Sequence, residues 1–352
     1  MKNVLSLFVP ILFSTLAFAQ VRPAKTEMKG HDASSVEMRA IPARTAEMDA
    51  PTSAPSWSPI YDTADFKYVL MSTESYNDES DNLRYTIAKN LPDGVKLVLL
   101  VNSQDVAAMK KLYAPYISMD RVIFATSTNI SNGFWARDAF PYPVVDATGK
   151  LSLVEPNYYR NFTAGPDVAK SLNLKNQRFN FTFVGGNLLA DEDGTCFTVD
   201  SRRLYTMNPS KDLTNTYGCK SYHLMPHTVG IGDVDEVLKP LGNHVMLTNQ
   251  ESYVSSLKSW GYTVVMLPEI ANTYRTYANS LIVGKTVFMP SYGVATDAQA
   301  QKVYEDLGYT VIKIKSNSLS DDYQGSIHCQ TMAYPAIPEQ QLLEELSLKR
   351  VN

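Results

Sequence analysis

Short apolar runs alternate with amphipathic stretches from residue 61 to the end of the chain. Compact apolar runs predict strands, and apolar residues at three- to four-residue spacing predict helices. In the first part of the chain this pattern predicts strands at 67–71, 96–101 and 122–125 and helices at 81–91 and 105–113. Later it predicts strands at 244–248, 263–267, 280–283, 286–290 and 310–314 and helices at 251–260 and 296–307.

The order of these elements indicates a repeated unit of two strands, a helix and a strand. The runs 280–283 and 286–290 predict a tight hairpin within one such unit. No glycine-rich phosphate-binding loop accompanies the strands, so the pattern favours repeated blades of an α/β domain over a doubly wound nucleotide-binding sheet. Composition does not change after residue 60, and we expect one domain over residues 59–352.

Residues 20–58 differ from the rest of the chain. They are rich in Ala, Pro, Ser, Thr and charged residues, and Trp57 is their only aromatic residue. A weak Glu-Met repeat at ten-residue spacing is too short for a solenoid unit, and the segment has too little apolar mass for a core. We therefore predict a disordered tether.

The first 19 residues have the pattern of a secretory signal peptide. A short basic start is followed by the apolar run 4–16 and by the small-x-small sequence Ala17-Phe18-Ala19. The run is too short and too interrupted for a membrane anchor. The expected location of the mature protein is periplasmic or secreted.

Charge excludes two classes of partner. The formal net charge is −4, and Lys and Arg form no runs. We therefore expect neither nucleic acid nor a membrane surface as a partner.

The chain has three cysteines, which is an informative number in an oxidising compartment, because two can pair and one is left over. Cys196 and Cys219 lie 23 residues apart in one region, whereas Cys329 is distant. A Cys196–Cys219 disulfide with Cys329 as a free thiol is the simplest interpretation. The alternative is that all three are reduced and buried.

Five motifs contain residues that could carry chemistry, namely Trp135-Ala-Arg-Asp138, Gly185-Gly-Asn187, the run VGIGDVDEV at 229–237, Tyr277-Ala-Asn279 and GSIHC at 325–329. Taken singly, each has an ordinary structural explanation, such as a surface ion pair, a turn, a helix cap or a buried small residue.

Taken together, the motifs indicate a chemical reaction on a cation. Carboxylates near a nucleophilic cysteine would raise its pKa and weaken it, unless the substrate is itself a cation held between them. A guanidinium fits this description, since its paired N–H donors match carboxylates. Asp138 and Asp235 would hold the guanidinium, Cys329 would attack its central carbon, and ammonia would leave.

The order of these motifs resembles the guanidino-group-modifying superfamily, in particular its bacterial peptidyl-arginine deiminase/agmatine deiminase branch, over roughly residues 60–345. The resemblance implies an α/β fold, a five-bladed α/β propeller of pseudo-repeated ββαβ units. It also implies hydrolysis of a guanidinium to a ureido group through a cysteine thiouronium, without a metal or organic cofactor. The partner would be an arginine-containing peptide or protein, or a small guanidino compound.

The resemblance implies a role for each residue of this chain that matches a family motif. Cys329 is the expected nucleophile, Asp138 and Asp235 hold the guanidinium, and Asn279 adds a polar contact. Arg160, in Asn-Tyr-Tyr-Arg, resembles an arginine that reads the carboxylate of the substrate. Trp135 and Asn187 are the further candidate substrate contacts.

Two positions depart from the family pattern. Asp233 stands where the family has the histidine of Gly-His-x-Asp, which protonates ammonia and activates water. An ionised aspartate has no proton to give, so Asp233 would act only if neighbouring carboxylates kept it protonated. An extended loop would turn His328 away from the site, and His227 would reach it only if its own loop folds back. Val184 replaces a glutamate of agmatine deiminases, which favours a peptidyl substrate.

Three functional hypotheses remain. The first is an exported enzyme that converts peptide- or protein-bound arginine to citrulline. The second is a catalytically impaired member that binds arginine-bearing ligands, because Asp233 replaces the general acid. The third is an agmatine deiminase.

Overall fold

The computed structural model describes residues 57–127, 133–154, 182–183, 185–201, 204–205, 213–214, 217–271 and 273–351. The predicted signal peptide and residues 20–56 of the predicted tether lie outside this part of the chain. The first strand begins at Trp57, so the folded domain extends at least two residues before its predicted boundary.

The strands of the described residues are β1 (Trp57–Pro59), β2 (Phe66–Ser72), β3 (Lys96–Leu100), β4 (Val122–Ser127), β5 (Tyr142–Asp146), β6 (Leu151–Val154), β7 (Thr182–Phe183), β8 (Leu189–Ala190), β9 (Thr195–Asp200), β10 (Leu204–Tyr205), β11 (Ser221–Pro226), β12 (Leu238–Pro240), β13 (Val245–Thr248), β14 (Thr263–Met266), β15 (Leu281–Val283), β16 (Thr286–Ser291), β17 (Thr310–Lys315), β18 (Met332–Pro335) and β19 (Leu348–Arg350). The α-helices are α1 (Asp78–Asn90), α2 (Val106–Tyr113), α3 (Ala136–Ala139), α4 (Glu251–Ser259), α5 (Thr296–Asp306), α6 (Asn317–Tyr323) and α7 (Glu339–Glu345). Short 3₁₀ turns include Gly185–Asn187 and Val234–Glu236.

The predicted elements are present with small differences at their ends. The largest difference is at α1, which begins at Asp78 rather than at residue 81. Asn77 caps this helix, because its side chain accepts the Ser80 backbone N–H while the Ser80 hydroxyl bonds back to the Asn77 backbone. Asp78 and Glu79 then occupy the first turn, where the helix dipole stabilises negative charge.

The largest sheet joins the two ends of the described chain. Its order is β18-β2-β3-β4-β19, with β2, β3 and β4 parallel and the two outer strands antiparallel to their neighbours. Helices α1 and α2 connect the parallel strands. Apolar side chains cover both faces of the central strands, where Leu97, Val98 and Leu99 are fully buried. Burial on both faces is typical of parallel strands that lie inside an α/β domain.

Four sets of three strands share one arrangement, and the sequence pattern predicted all three strands of one of them, β15-β16-β17. A middle strand pairs antiparallel with one neighbour and parallel with the other in β8-β9-β11, β12-β13-β14, β15-β16-β17 and β18-β2-β3. The protein is therefore an α/β protein built from several small sheets. Closure of these units into a five-bladed propeller stays a prediction.

The motifs occupy equivalent places in these units. Asn187, Glu236 and Asn279 each lie two residues before the first strand of their unit, and Cys329 lies three residues before β18. Asp138 precedes β5 in the same way, four residues before the strand. Repetition of one local structure thus presents side chains from four distant segments in comparable positions, and Asp138 is presented by the antiparallel sheet β1-β5-β6.

Candidate active site

Cys329 is buried in a turn that begins at residue 327, directly before β18. Asn279 holds the cysteine from two sides. Its side-chain N–H group donates to the Cys329 sulfur at 3.1 Å, and its side-chain oxygen accepts the backbone N–H of Cys329 at 3.3 Å and of His328 at 3.1 Å. The Cys329 carbonyl accepts the Arg137 backbone N–H at 3.1 Å, which joins the cysteine loop to the Trp135–Asp138 motif.

Three buried carboxylates converge on Gly186. The Gly186 N–H donates to Asp138 Oδ1 at 3.0 Å. A Cβ atom at Gly186 would lie 3.0 Å from Asp233 Oδ2 and 3.1 Å from Asp235 Oδ1. Asp138, Asp233 and Asp235 are each at most 1% exposed, so they form an acidic cluster inside the protein. The thiol lies 3.7 Å from Asp235 Oδ2, at the edge of this cluster.

The Gly-Gly-Asn motif is therefore more than a turn. A Cβ atom at Gly185 would lie 1.9 Å from the Arg137 carbonyl oxygen, so only glycine permits this approach of two backbones. Gly186 leaves space for the carboxylates in the same manner. The two glycines explain how the Asp138 segment and the Asp235 segment come together.

The buried side chain of Asn187 bonds to the backbone next to the acidic cluster. Its side-chain oxygen accepts the backbone N–H groups of Val199 at 2.8 Å and Val234 at 3.1 Å, and its amide nitrogen donates to the Val199 carbonyl at 3.0 Å. These bonds use its polar atoms on the backbone. Asn187 thus fixes the segment between Asp233 and Asp235, whereas its contact with a substrate stays a prediction.

The remaining predicted contacts have different outcomes. Trp135 is buried, and its ring packs against Gly325, where a Cβ atom would lie 2.6 Å from the indole carbons. Trp135 therefore shapes the cysteine loop. Arg160 and Val184 lie outside the described residues. His227 is exposed and contacts the Gly230 carbonyl at 3.3 Å, so its loop does fold back, but only onto itself.

The environment of Cys329 favours the neutral thiol. Burial is the largest contribution that raises its pKa well above the ordinary value, and the charges of Asp235, Asp138, Asp233 and Glu236 add to it. Conversely, a cation among these carboxylates would favour the thiolate, because it would offset their charge.

His328 has a different orientation from the one expected of an extended loop. Residues 327–330 form a turn, and the buried imidazole lies between two carboxylates. Its Nδ1 atom is 2.6 Å from Asp235 Oδ2, and its Nε2 atom is 3.0 Å from Asp62 Oδ2. The expectation that His328 turns away was wrong because it assumed extended backbone.

Asp62 and Lys239 belong to the site and were not identified from the sequence. Lys239 is fully buried, and its Nζ atom lies 3.0 Å from Asp62 Oδ2. Arg137 lies 3.8 Å from the other oxygen of Asp62. Burial raises the pKa of Asp62, but the charges of Lys239, His328 and Arg137 outweigh it and hold this pKa well below its usual value. The sequence feature that could have indicated Lys239 is its position as a lysine within the apolar run Val237-Leu238-Lys239-Pro240.

A cavity of about 370 Å³ adjoins the acidic cluster without including it. Glu236, Glu269, Arg275 and Tyr274 are among its lining residues, whereas Cys329 and the three clustered aspartates are not. Glu236 connects the two regions, because it directly follows Asp235 in the chain. The candidate catalytic residues thus lie in the buried cluster, and the cavity lies next to them.

Three further observations delimit the site. Cys196 and Cys219 form a disulfide, whereas Cys329 is a free cysteine. Within the ranges given above, no group of His, Cys, Asp and Glu side chains is arranged to hold a metal ion. In the same ranges, no helix is both long enough and apolar enough to cross a bilayer.

Comparison with known proteins gives a family match for part of the chain and a shared fold for most of it. Residues 241–335 match the family model of Porphyromonas-type peptidyl-arginine deiminase. A structure described as an arginine deiminase from Porphyromonas gingivalis is 20% identical with a TM-score of 0.62, and the match covers 79% of this chain and 98% of that one. Agmatine deiminase of C. jejuni is 16% identical with a TM-score of 0.65, over 80% of this chain and 96% of that one. Agmatine deiminase of Enterococcus faecalis is 15% identical with a TM-score of 0.62, with the same coverage.

These structural matches show a shared fold, and the family model covers Asn279, the Cys329 motif and β18, but not Asp138, Asp233 or Asp235. Members of this group are hydrolases that act on guanidino C–N bonds. Residues 241–335 thus match the Porphyromonas-type peptidyl-arginine deiminase family, and the chain shares its fold with structures of bacterial arginine and agmatine deiminases.

Proposed function

We propose that the protein is an exported guanidinium hydrolase that converts peptide- or protein-bound arginine to citrulline and releases ammonia. The observation that carries this proposal is the 3.7 Å contact between the Cys329 thiol and Asp235 Oδ2, at the edge of a buried cluster with Asp138 and Asp233. A buried thiol beside carboxylates is a poor nucleophile by itself. A guanidinium bound among them offsets their charge and brings its electrophilic carbon to the sulfur.

The reaction has two halves. In the first, the thiol gives up its proton, a bond forms between sulfur and the guanidinium carbon, and a C–N bond breaks to release ammonia. The product is a thiouronium that keeps the positive charge. In the second, water attacks the same carbon and the C–S bond breaks, which yields the ureido group, the restored thiol and one proton for ammonia.

The preference for a peptidyl substrate rests on two observations. Val184 stands where agmatine deiminases carry a glutamate. The neighbouring cavity, which contains Glu236 and Arg275, offers both charges and space for groups beyond the guanidinium. Export is proposed from the signal-peptide pattern of residues 1–19, and closure of the repeated units into five blades is proposed from their common strand arrangement.

A colorimetric ureido assay tests this function directly. The wild-type protein and Cys329→Ser are compared on benzoyl-arginine amide, an arginine-ended peptide, free arginine and agmatine. We expect product from the peptidyl substrates with wild type and none with Cys329→Ser. Product from agmatine alone would instead assign the chain to the agmatine deiminases.

Binding without turnover is the second candidate function, and the aspartate at position 233 favours it. If all four substrates are inert, yet calorimetry detects an arginine peptide that Asp138→Asn no longer binds, the protein is a binding module. If an arginine peptide neither reacts nor binds, both candidates are wrong.

A further inference from the structure

The imidazole of His328 is connected to the Cys329 thiol through one side chain, that of Asp235. Its Nδ1 atom lies 2.6 Å from Asp235 Oδ2, and the same oxygen lies 3.7 Å from Cys329 Sγ. On the opposite side, Nε2 is at an ion-pair distance of 3.0 Å from Asp62 Oδ2. A side chain that is 1% exposed is thus held between two carboxylates, one of which faces the sulfur.

Charged groups surround the Nε2 side of His328. Asp62 is paired with the buried Lys239 at 3.0 Å and with Arg137 at 3.8 Å, so it stays an anion. An anion beside Nε2 favours a proton on that nitrogen, in the way that outer carboxylates set the tautomer of functional histidines. Nδ1 is then the nitrogen that can accept a proton passed on from Asp235. In the described residues, Asp62, Lys239 and Arg137 are the charged groups on the imidazole side of this chain of contacts. Asp235, Asp138, Asp233 and Glu236 are those on the thiol side.

The proposed reaction needs a group that takes a proton and returns it. The thiol must lose its proton, and the departing nitrogen must gain one. Asp235 alone is poorly suited, because it must remain an anion to hold the guanidinium. An aspartate that contacts an imidazole can pass an accepted proton on to Nδ1. Its own oxygen then keeps its negative charge.

We propose that His328 is the positioning residue that carries the proton of the reaction through Asp235, in place of the histidine that is missing at position 233. This inference rests on the proposed function. As sulfur bonds to the guanidinium carbon, the thiol proton passes to Asp235 Oδ2 and is shared with Nδ1. As the C–N bond breaks, the same proton passes to the leaving nitrogen, and ammonia departs.

The second half uses the pair again. Water loses one proton to the Asp235–His328 pair as its oxygen bonds to the thiouronium carbon. When the C–S bond breaks, the sulfur takes that proton and becomes the thiol again. The remaining proton leaves the ureido product and converts ammonia to ammonium, so that atoms and charges balance.

His328→Asn tests the proposal. An asparagine side chain can occupy the Nδ1 position and contact Asp235, but its amide nitrogen cannot accept a proton. The matched control is His244→Asn, because His244 is exposed and its φ of 54° is one that asparagine tolerates. The primary readout is the rate at which iodoacetamide alkylates Cys329 near pH 7, which requires no turnover.

We expect alkylation in His328→Asn to fall by at least about tenfold, and kcat on an arginine peptide to fall by roughly 10²–10⁴ with little change in KM. His244→Asn should match wild type in both. If His328→Asn keeps the wild-type alkylation rate within a factor of about two, the proton-carrying role is overturned. Absence of turnover in wild type would defeat only the proposed function, because the alkylation test remains.

Asp62→Asn provides a second test that leaves His328 in place, in case His328→Asn does not fold. Without the anion at Nε2, the imidazole loses the partner that keeps its proton on that nitrogen. The rate at which iodoacetamide alkylates Cys329 near pH 7 should therefore fall by several-fold. An unchanged rate in a folded Asp62→Asn protein would overturn the proposal.

Discussion

Asn279 bonds the Cys329 sulfur with its amide nitrogen and the Cys329 backbone N–H with its amide oxygen. One side chain thus positions the nucleophile and also offers a hydrogen bond that favours the thiolate. The two contributions can be separated by substitution. Asn279→Asp removes only the donor to sulfur, whereas Asn279→Ala removes both the donor and the acceptor.

Asn279→Asp should keep the acceptor for the backbone N–H groups but replace the donor at sulfur by a negative charge. We therefore expect a folded protein whose Cys329 is alkylated at least about tenfold more slowly than in wild type. Asn279→Ala should also lose stability by about 1–3 kcal/mol, because buried N–H groups lose their acceptor. Thermal unfolding and alkylation rates check both, with Asn90→Ala as a remote control. Equal alkylation rates in all variants would exclude a role for the bond to sulfur.

Asp138→Asn should weaken the binding of a guanidinium by about 2–5 kcal/mol, since it removes one charge from a desolvated pair. The variant is conservative, because the amide oxygen can still accept the Gly186 N–H. Calorimetry with an arginine peptide in a Cys329→Ser background measures the effect without turnover. The exposed Asp93→Asn serves as control, and wild-type affinity in Asp138→Asn would place the guanidinium elsewhere.

Asp233→His restores the Gly-His-x-Asp pattern and should raise deimination of an arginine peptide near pH 7 if the missing acid limits the rate. A positioned general acid contributes roughly 10²–10⁴ in rate. Because Asp233 Oδ2 lies close to Gly186, the variant must first be shown to fold by thermal unfolding. No gain in a folded Asp233→His protein that retains peptide binding would argue that His328 already supplies the proton.

The raised pKa of Cys329 predicts a loss of stability at alkaline pH. The unfolded thiol ionises near its ordinary value, whereas the folded thiol stays neutral to higher pH. Its contribution is therefore complete below the unfolded pKa and is lost as pH rises above it, by up to about 1.4 kcal/mol per pH unit. Urea unfolding at neutral and alkaline pH should show a steeper loss for wild type than for Cys329→Ala. Parallel curves would mean that the thiol is not held neutral.

The disulfide should contribute stability but no chemistry. Cys196 and Cys219 close a loop of 23 residues, and a loop of this length stabilises the fold by roughly 3 kcal/mol. Replacing both cysteines by alanine should lower the free energy of unfolding by about this amount and leave the alkylation of Cys329 unchanged. A change in Cys329 reactivity would instead couple the disulfide to the site.

The sequence predicted the repeated elements well because each depends on local apolar spacing. The candidate nucleophile and its carboxylates could be chosen because short motifs such as Trp135–Asp138 carry unusual residue combinations. Asp62 and Lys239 could not be found in this way. They meet 177 residues apart in the chain, and neither lies in a distinctive motif. His328 was misjudged because the direction of its side chain depends on a turn that the sequence does not specify locally.

Pairing of β18 with β2 has a consequence for the assembly of the candidate site. The strand that follows Cys329 pairs with the strand at residues 66–72, at the other end of the described domain. A chain that lacks its last segment would keep Asp138 and Asp235 without the candidate nucleophile. The candidate site is therefore complete only in the whole domain, and we expect alkylation of Cys329 to report that the two ends have joined.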